Sequence, residues 1–319
     1  MPASSSTLSK TALPRATFFV VGAPRCGTTA ISKALRDHPG ICFAEPKEPH
    51  YFSRLAPGWS GKRLNVDYFP LFFHHWTDPA AMLGEGSPSY LYVDEAIEAI
   101  ERELPGARYI VMVRNPMQML PSYHQRLVYL LDESESDLAE AWRLQDERAA
   151  GRQIPRRCRN PNILRYREIC NVAEHIDKLA AKVGRDRIKL VLFDDFARAP
   201  IEVYRDVIAF LGLPDDGRTL LKKRNSTRVP KNVMLHMILM QPRSEIVRLT
   251  LNRVRKAIRK VPVVKRFLGR IRKQSYAVVA TPAVPAELWD ECAAAFRDNV
   301  ARLSELFGRD LSGWLKRPG

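Results

Sequence analysis

The stretch "FFVVGAPRCGTTAISKALRDHPG", residues 18–40, decides the fold. Apolar and β-branched residues run from Phe18 to Val21, and the chain then passes through Gly27 into a helical pattern that stops at Pro39. This order predicts a strand, a tight turn and a helix start, where backbone N–H groups can hold a phosphate. A Walker loop for nucleoside triphosphates needs Lys after its second glycine, but Thr28 stands there. The loop is therefore expected to hold a different phosphate ligand.

Apolar segments alternate with helical patterns along the rest of the chain. Strands are predicted at 17–22, 41–44, 109–114 and 188–196, and helices from residue 28, at 94–104 and within 166–183. Because continuous apolar runs are typical of strands buried on both faces, the alternation predicts an α/β protein with a mostly parallel sheet flanked by helices. Three further segments are interpreted as an insertion or mobile loop (132–160), an irregular region (215–242) and a final amphipathic helix (286–306).

Length and composition indicate an ordinary globular chain. Its 319 residues are 45% hydrophobic and 27% charged, which is enough for one large domain, expected at 16–319. Residues 1–15 have no apolar core and are interpreted as a flexible tail without a secretory signal. Since no segment approaches the roughly 18 apolar residues of a membrane-spanning helix, a cytoplasmic location is expected, with peripheral association with the membrane left open.

The cysteine and histidine patterns predict neither disulfides nor a metal. The five cysteines contain no CxxC pair, and their odd number favours free thiols in a reducing compartment. The seven histidines show no metal-ligand spacing, and the adjacent His74 and His75 are expected to point apart.

The net charge of +16 is concentrated in one segment, 243–273, which holds twelve basic residues and one acid. Its pattern predicts a basic helical insertion of two short amphipathic helices broken at Pro262. Three interpretations stay open: ordinary packing with a solvated charged face, contact with an anionic membrane surface, or guidance of an acidic acceptor. No nucleic acid is expected, because Phe267 is the one aromatic residue among these charges.

Five ordered blocks resemble the PAPS-dependent sulfotransferases, in particular the bacterial relatives of the heparan sulfate sulfotransferase branch. Within about residues 16–232 they read PRCGTT, KEPHYFS, GEGSPSYLY, VRNPMQMLPSYHQ and IKLVLFDDFARAPIEVYRDVIAFLGL. The resemblance implies a P-loop-type nucleotide-binding sulfotransferase fold. It also implies in-line transfer of a sulfuryl group from 3′-phosphoadenosine 5′-phosphosulfate (PAPS) to a hydroxyl or amine, which leaves PAP and needs no metal. The acceptor stays open among saccharides, glycolipids and other molecules.

The first block is expected to bind the 5′-phosphosulfate through Arg25, Cys26, Gly27, Thr28 and Thr29. Backbone N–H groups and hydroxyls suit the phosphate, and Arg25 would stabilise charge on the bridging oxygen. Many relatives carry Lys at this position. Because arginine keeps its proton at neutral pH, its role must be electrostatic.

Arg114 and Ser122 resemble the family's 3′-phosphate site, where the planar fork of arginine suits bidentate binding. Arg228 and Lys231 lie in a segment that resembles the loop closing over the nucleotide. Gly86 is a departure, because some relatives place a substrate-side lysine there.

Glu48 is the candidate general base, because a carboxylate can accept the proton of an attacking hydroxyl. It matches, with His50, the family pattern E-x-H-F-F, from which Tyr51 departs mildly. His50 is therefore a second catalytic candidate, and Glu45 is a lower-ranked alternative base.

Two other functions stay open. A nucleotide kinase would share the strand–turn–helix loop, although Thr28 in place of the Walker lysine argues against it. A non-catalytic membrane- or polyanion-binding protein would act through 243–273 and would have no affinity for PAP.

Overall fold

A computed structural model describes six parts of the chain: 16–53, 68–158, 160–221, 228–230, 276–278 and 283–317. The predicted tail at 1–15 and the basic insertion at 243–273 lie outside the described residues, so both stay predictions.

A five-stranded parallel sheet forms the centre of the fold. Its strands are β1 (Thr17–Val20), β2 (Ile41–Phe43), β3 (Met82–Glu85), β4 (Arg108–Val113) and β5 (Ile188–Leu192). Their order is β2-β3-β1-β4-β5, and every neighbouring pair is parallel. The chain thus builds one side of β1 with β2 and β3 and the other with β4 and β5. The predicted α/β class is confirmed, and the loop after the central strand lies where ligands bind in such sheets.

Helices cover this sheet. In chain order they are α1 (Thr28–Arg36), α2 (Phe69–Phe72), α3 (Asp94–Glu103), α4 (Pro116–Leu130), α5 (Leu138–Arg143), α6 (Gln145–Ala149), α7 (Tyr166–Cys170), α8 (Val172–Val183), α9 (Phe193–Arg198), α10 (Pro200–Leu211), α11 (Trp289–Ala295) and α12 (Arg297–Phe307). A separate antiparallel pair joins β6 (Arg228–Pro230) to β7 (Tyr276–Val278).

The aromatic residues of β1 fix the centre of the core. Phe18 and Phe19 are 0% and 1% exposed. Phe19 stacks on Tyr109 of β4 with ring centroids 5.9 Å apart, and its edge meets Tyr90 at 6.0 Å. Burying such rings removes a large apolar area from water, which stabilises the strand that carries the loop at 22–27.

Strand β3 was not predicted from the sequence. Its centre is Gly84, where a Cβ atom would lie 2.3 Å from Cζ of Phe18. A glycine is therefore needed for the close approach of a neighbouring aromatic ring. A four-residue strand that contains such a glycine lacks the apolar signal on which strand prediction rests.

The interpretation of 132–160 as an insertion or mobile loop is wrong, because the segment holds α5 and α6 around a buried ion pair. The Arg148 guanidinium donates to both carboxylate oxygens of Glu133, at 2.5 and 2.7 Å, and both side chains are almost fully buried. The Tyr166 hydroxyl donates to the same carboxylate at 2.7 Å. Two of the charges that suggested a loop are therefore paired inside the domain.

Two predicted elements are each divided in two. The final helix expected at 286–306 is divided into α11 and α12 at Phe296, whose buried ring packs against Trp142 at 5.7 Å. The strand expected at 188–196 ends at Leu192, and α9 begins at Phe193. Both breaks place an aromatic ring inward, which apolar periodicity alone does not reveal.

Candidate active site

The loop between β1 and α1 presents unpaired backbone donors. Gly27 is the N-cap of α1 with φ of +87°, and a Cβ atom there would lie 2.7 Å from the Phe193 ring. Glycine is thus required by both conformation and space. Among the described residues, the N–H groups of Gly27, Thr28 and Thr29 donate to no other group. Such open donors at a helix start can bind an anion.

Cys26 belongs to the loop but is turned inward. Its thiol is fully buried, 3.7 Å from the sulfur of Met119, and burial raises its pKa to about 12. A neutral, buried thiol is neither a nucleophile nor a phosphate ligand. Cys26 can therefore contribute to a ligand site only through its backbone.

Arg25 lies beside α4. It has a left-handed backbone with φ of +68°, and its Nε donates to the Ser122 Oγ at 2.9 Å. Burial lowers the pKa of Arg25, and the neighbouring charges of Arg126 and Arg114 lower it further. Three guanidinium groups are thus gathered at one end of the sheet, where an anionic ligand would relieve their repulsion.

Arg114, directly after β4, is held against the loop. Its guanidinium donates to the Arg25 carbonyl at 3.1 Å and to Gln118 Oε1 at 3.2 Å, and it lies over the Phe193 ring at 4.7 Å. Burial lowers its pKa. The structure therefore brings together Arg25, Arg114 and Ser122, as the sequence predicted for one nucleotide site.

Arg126 joins this group and was missed from the sequence. It follows Ser122 by four residues on α4, and residues at that spacing share one helix face. This spacing is the signal that could have identified it.

The loop after β2 carries an ion pair that reaches the phosphate loop. Lys47 Nζ donates to Glu48 Oε1 at 2.5 Å and to Thr28 Oγ1 at 3.4 Å. The Glu48 side chain is 39% exposed. Burial would raise the pKa of Glu48, but hydrogen bonds from His50 and Lys47 and the charge of Lys47 outweigh it and lower the pKa to about 2. Glu48 is therefore ionised at neutral pH.

His50 is fixed by a ring of serine hydroxyls. Its backbone has φ of +53°. The Ser89 hydroxyl donates to Ser53 Oγ at 2.9 Å, and Ser53 donates to the His50 carbonyl at 3.2 Å. Because the Ser89 hydroxyl already donates its proton to Ser53, Ser89 Oγ can only accept a hydrogen bond from His50 Nδ1, which lies 2.7 Å away. The network thus assigns a proton to His50 Nδ1, and the other ring nitrogen, Nε2, lies 3.8 Å from Glu48 Oε2.

The buried carboxylate of Glu85 accepts hydrogen bonds next to this network of serine hydroxyls. Glu85, at the end of β3, is 1% exposed and accepts hydrogen bonds from Tyr68 and, at 2.5 Å, from Ser87. Burial raises the pKa of Glu85. Ser87 in turn accepts from the His50 backbone N–H at 3.0 Å. Hydrogen bonds therefore link the GEGSPSYLY block to the KEPHYFS block. The sequence did not predict this link.

The remaining predicted residues are placed as follows. Gly86 donates its backbone N–H to the Lys47 carbonyl at 3.1 Å. Arg228 lies in β6, where the backbone alone is described, and Lys231 is outside the described residues. Their predicted contact with the nucleotide stays a prediction.

The expectation that His74 and His75 point apart is wrong. Their ring centroids lie 5.1 Å apart, and one potential ligand atom from each lies within 4.8 Å of a Glu45 carboxylate oxygen. The turn after α2 brings both rings to the end of β2, where His75 Nε2 is 3.1 Å from the Phe43 carbonyl. All three side chains are exposed and could hold a metal ion.

Comparisons with known proteins point to one family. The model of the "Sulfotransferase family" matches residues 51–217, about half of the chain. The chain is also similar to the crystal structure of a sulfotransferase from Alicyclobacillus acidocaldarius, with a TM-score of 0.62 and 25% identity, over 95% of this chain and 100% of that one.

Curated relatives match over a shorter region. Carbohydrate sulfotransferase 15 of Homo sapiens is 28% identical over 145 residues, covering 33% of this chain and 26% of that protein. Membrane-associated sulfotransferase kil1 of Dictyostelium discoideum is 27% identical over 117 residues, covering 35% and 23%. The match thus spans about a quarter of each relative's length.

The comparison with kil1 corrects one prediction. A relative that is named membrane-associated contradicts the expected cytoplasmic location, which is wrong. The expected location was based on the lack of a long apolar segment, but proteins can also attach to membranes without such a segment. Within the described ranges, no helix is long and apolar enough to cross a membrane.

The loop geometry and the family match over residues 51–217 lead to one conclusion. This chain is a member of the sulfotransferase family.

Proposed function

We propose that this protein transfers a sulfuryl group from PAPS to a hydroxyl or amine of a small-molecule, saccharide or glycolipid acceptor. The observation that carries the proposal is the meeting of Arg25, Arg114 and Ser122 beside open N–H donors of the loop. Two separated anionic groups of one ligand fit this arrangement: one at the start of α1 and one between Arg114 and α4.

The residues present fit PAPS on chemical grounds. When bound, PAPS supplies the sulfuryl group and a stable phosphate leaving group. The N–H groups of Gly27, Thr28 and Thr29 would hold the 5′-phosphate, and Arg114 with Ser122 the 3′-phosphate. Such a transfer depends mainly on positioning and charge stabilisation, which fixed cations provide.

Glu48 is proposed to accept the acceptor's proton. It is ionised, it lies on the loop after β2, and Lys47 links it to Thr28 of the phosphate loop. His50 Nε2 faces the same carboxylate and is proposed to orient it. A saccharide acceptor is supported by the likeness to carbohydrate sulfotransferase 15, which leaves small hydroxyl compounds and glycolipids as further candidates.

The test is transfer of label from sulfur-labelled PAPS to three acceptors: an unsulfated polysaccharide, a glycolipid and a phenol. We expect label on at least one acceptor together with release of PAP. Absence of both, from a folded protein, would contradict the proposal. ATP in place of PAPS serves as the control for a kinase, which would instead transfer phosphate.

A further inference from the structure

We propose that Lys47 is a catalytic residue that contacts the transferring sulfuryl group. The absence of a side chain at Gly86 leaves the space through which the Lys47 side chain reaches that group. This inference rests on the proposed function, and it assigns a role to two residues that the sequence left without one.

The backbone aims Lys47 at the phosphate loop. Its carbonyl accepts from the Gly86 N–H at 3.1 Å, which ties the loop after β2 to the end of β3. From there the side chain crosses the end of the sheet, and its Nζ comes within 3.4 Å of Thr28 Oγ1. The side chain is 14% exposed, so the ammonium is held in a sheltered place.

The ammonium keeps one donor for a ligand. A lysine has three N–H donors, and Nζ donates to Thr28 Oγ1 and Glu48 Oε1 and to no further group of the described ranges. The ammonium, with its third donor unused, therefore lies between the loop that would hold the donor phosphate and the carboxylate that would activate the acceptor. The sulfuryl group must pass between these two places.

Gly86 provides the space for this path. A Cβ atom at position 86 would lie 2.9 Å from Cε of Lys47 and 2.7 Å from the Ser32 Oγ. Ser32 is 1% exposed, and its hydroxyl has no hydrogen-bond partner among the described residues. A buried hydroxyl without a partner is costly, so its presence marks a place where a polar group is expected to arrive.

The nearby Arg25 donates from Nε to Ser122 on the α4 side, whereas Lys47 comes from the loop after β2. In the transfer, the acceptor oxygen forms a bond to sulfur while the bond from sulfur to the bridging phosphate oxygen breaks. The electron pair stays on that oxygen, and the acceptor's proton goes to Glu48. The products are the sulfated acceptor and PAP, and Lys47 meets the negative charge that builds up between them.

The experiment compares Lys47→Met with wild type, and uses Lys33→Met, at a half-buried position of α1, as the matched control. We expect Lys47→Met to lower kcat by about 10²- to 10³-fold, as for loss of one oxyanion donor, with PAP affinity in calorimetry little changed. Lys33→Met should match wild type. Wild-type kcat in Lys47→Met would overturn the inference, whereas a wild type without PAP binding or turnover would overturn the proposed function instead.

A pH profile tests the contact between Lys47 and Glu48 on which the inference depends. Lys47 helps to lower the pKa of Glu48 to about 2, so its removal lets Glu48 take up a proton at higher pH. The acid limb of kcat/KM should therefore shift upward in Lys47→Met relative to wild type. An unmoved limb would overturn the pairing of Lys47 with Glu48, and with it the placement of Lys47 beside the reacting groups.

Gly86→Ala tests the steric half of the inference. The added methyl group should displace the Lys47 side chain and lower kcat, while PAP affinity stays near that of wild type. Wild-type kcat in this variant would show that Gly86 provides no needed space.

Discussion

The two sides of the candidate site are built in different ways. On the side of α4, Arg25 and Arg114 are each held by a hydroxyl, a carbonyl or an aromatic ring, and neither is paired with a carboxylate of the described ranges. On the side of β2 and β3, Lys47 and Glu48 pair with each other, and His50 closes a ring of serine hydroxyls. One side offers unneutralised positive charge, and the other offers groups that exchange protons.

This difference separates binding from reaction. Cations without acidic partners keep their charge for a ligand, which suits recognition of phosphate groups. A carboxylate beside an imidazole can accept and orient a proton, which suits activation of a hydroxyl. Substitutions on the first side should therefore change donor affinity, and those on the second side should change turnover.

Loss of the carboxylate is expected to have the largest effect. Glu48→Gln keeps the shape and removes the base, so kcat should fall by about 10²-fold or more, while PAP affinity stays near that of wild type. Glu45→Gln, three residues earlier, is the matched control and should remain active. Unchanged turnover in Glu48→Gln, or an equal loss in Glu45→Gln, would remove Glu48 from its role.

Loss of Arg114 is expected to act on binding alone. A charge-assisted hydrogen bond contributes about 1.5–3 kcal/mol, so Arg114→Ala should weaken PAPS binding by roughly 10- to 100-fold. Adenosine 5′-phosphosulfate lacks the 3′-phosphate, and its weaker binding should change little. If calorimetry gives equal losses for the two donors, Arg114 supports the loop and does not read the 3′-phosphate.

The smallest expected effect concerns the serine ring. Ser89→Ala removes the acceptor that fixes His50 Nδ1, at about 0.5–1.5 kcal/mol, so kcat should fall roughly 2- to 10-fold. PAP affinity should not change, because Ser89 lies on the reactive side. A Ser89→Ala variant with weaker PAP binding and normal turnover would break the division between the two sides.

Much of the binding side could be predicted from the sequence. The loop at 22–29 and the strand ending at Arg114 have strong local signals, namely apolar runs followed by glycine or by a polar helix start. Because the ends of parallel strands meet at one edge, the approach of Arg114 to the loop followed from the predicted fold. Ser122 could be placed near Arg114 because it falls within the predicted helix that follows this strand.

The reactive side was harder to predict, because its contacts connect segments with weak local signals. Strand β3 is short and contains Gly84, so the serines that follow it could not be placed beside His50. In the sequence, Lys47 is one basic residue among many, and only the structure shows that its side chain passes over Gly86. Likewise, Glu133 and Arg148 looked like surface charges because their pairing depends on three-dimensional contact.

Calorimetric titration of the wild-type protein with PAP, adenosine 5′-phosphate and ATP tests the central claim most directly. The account predicts that PAP binds, that adenosine 5′-phosphate binds at least about 10-fold more weakly because it cannot engage Arg114, and that ATP binds more weakly than PAP. Equal affinity for PAP and adenosine 5′-phosphate, or tighter binding of ATP, would contradict a PAPS site built on Arg25, Arg114 and Ser122.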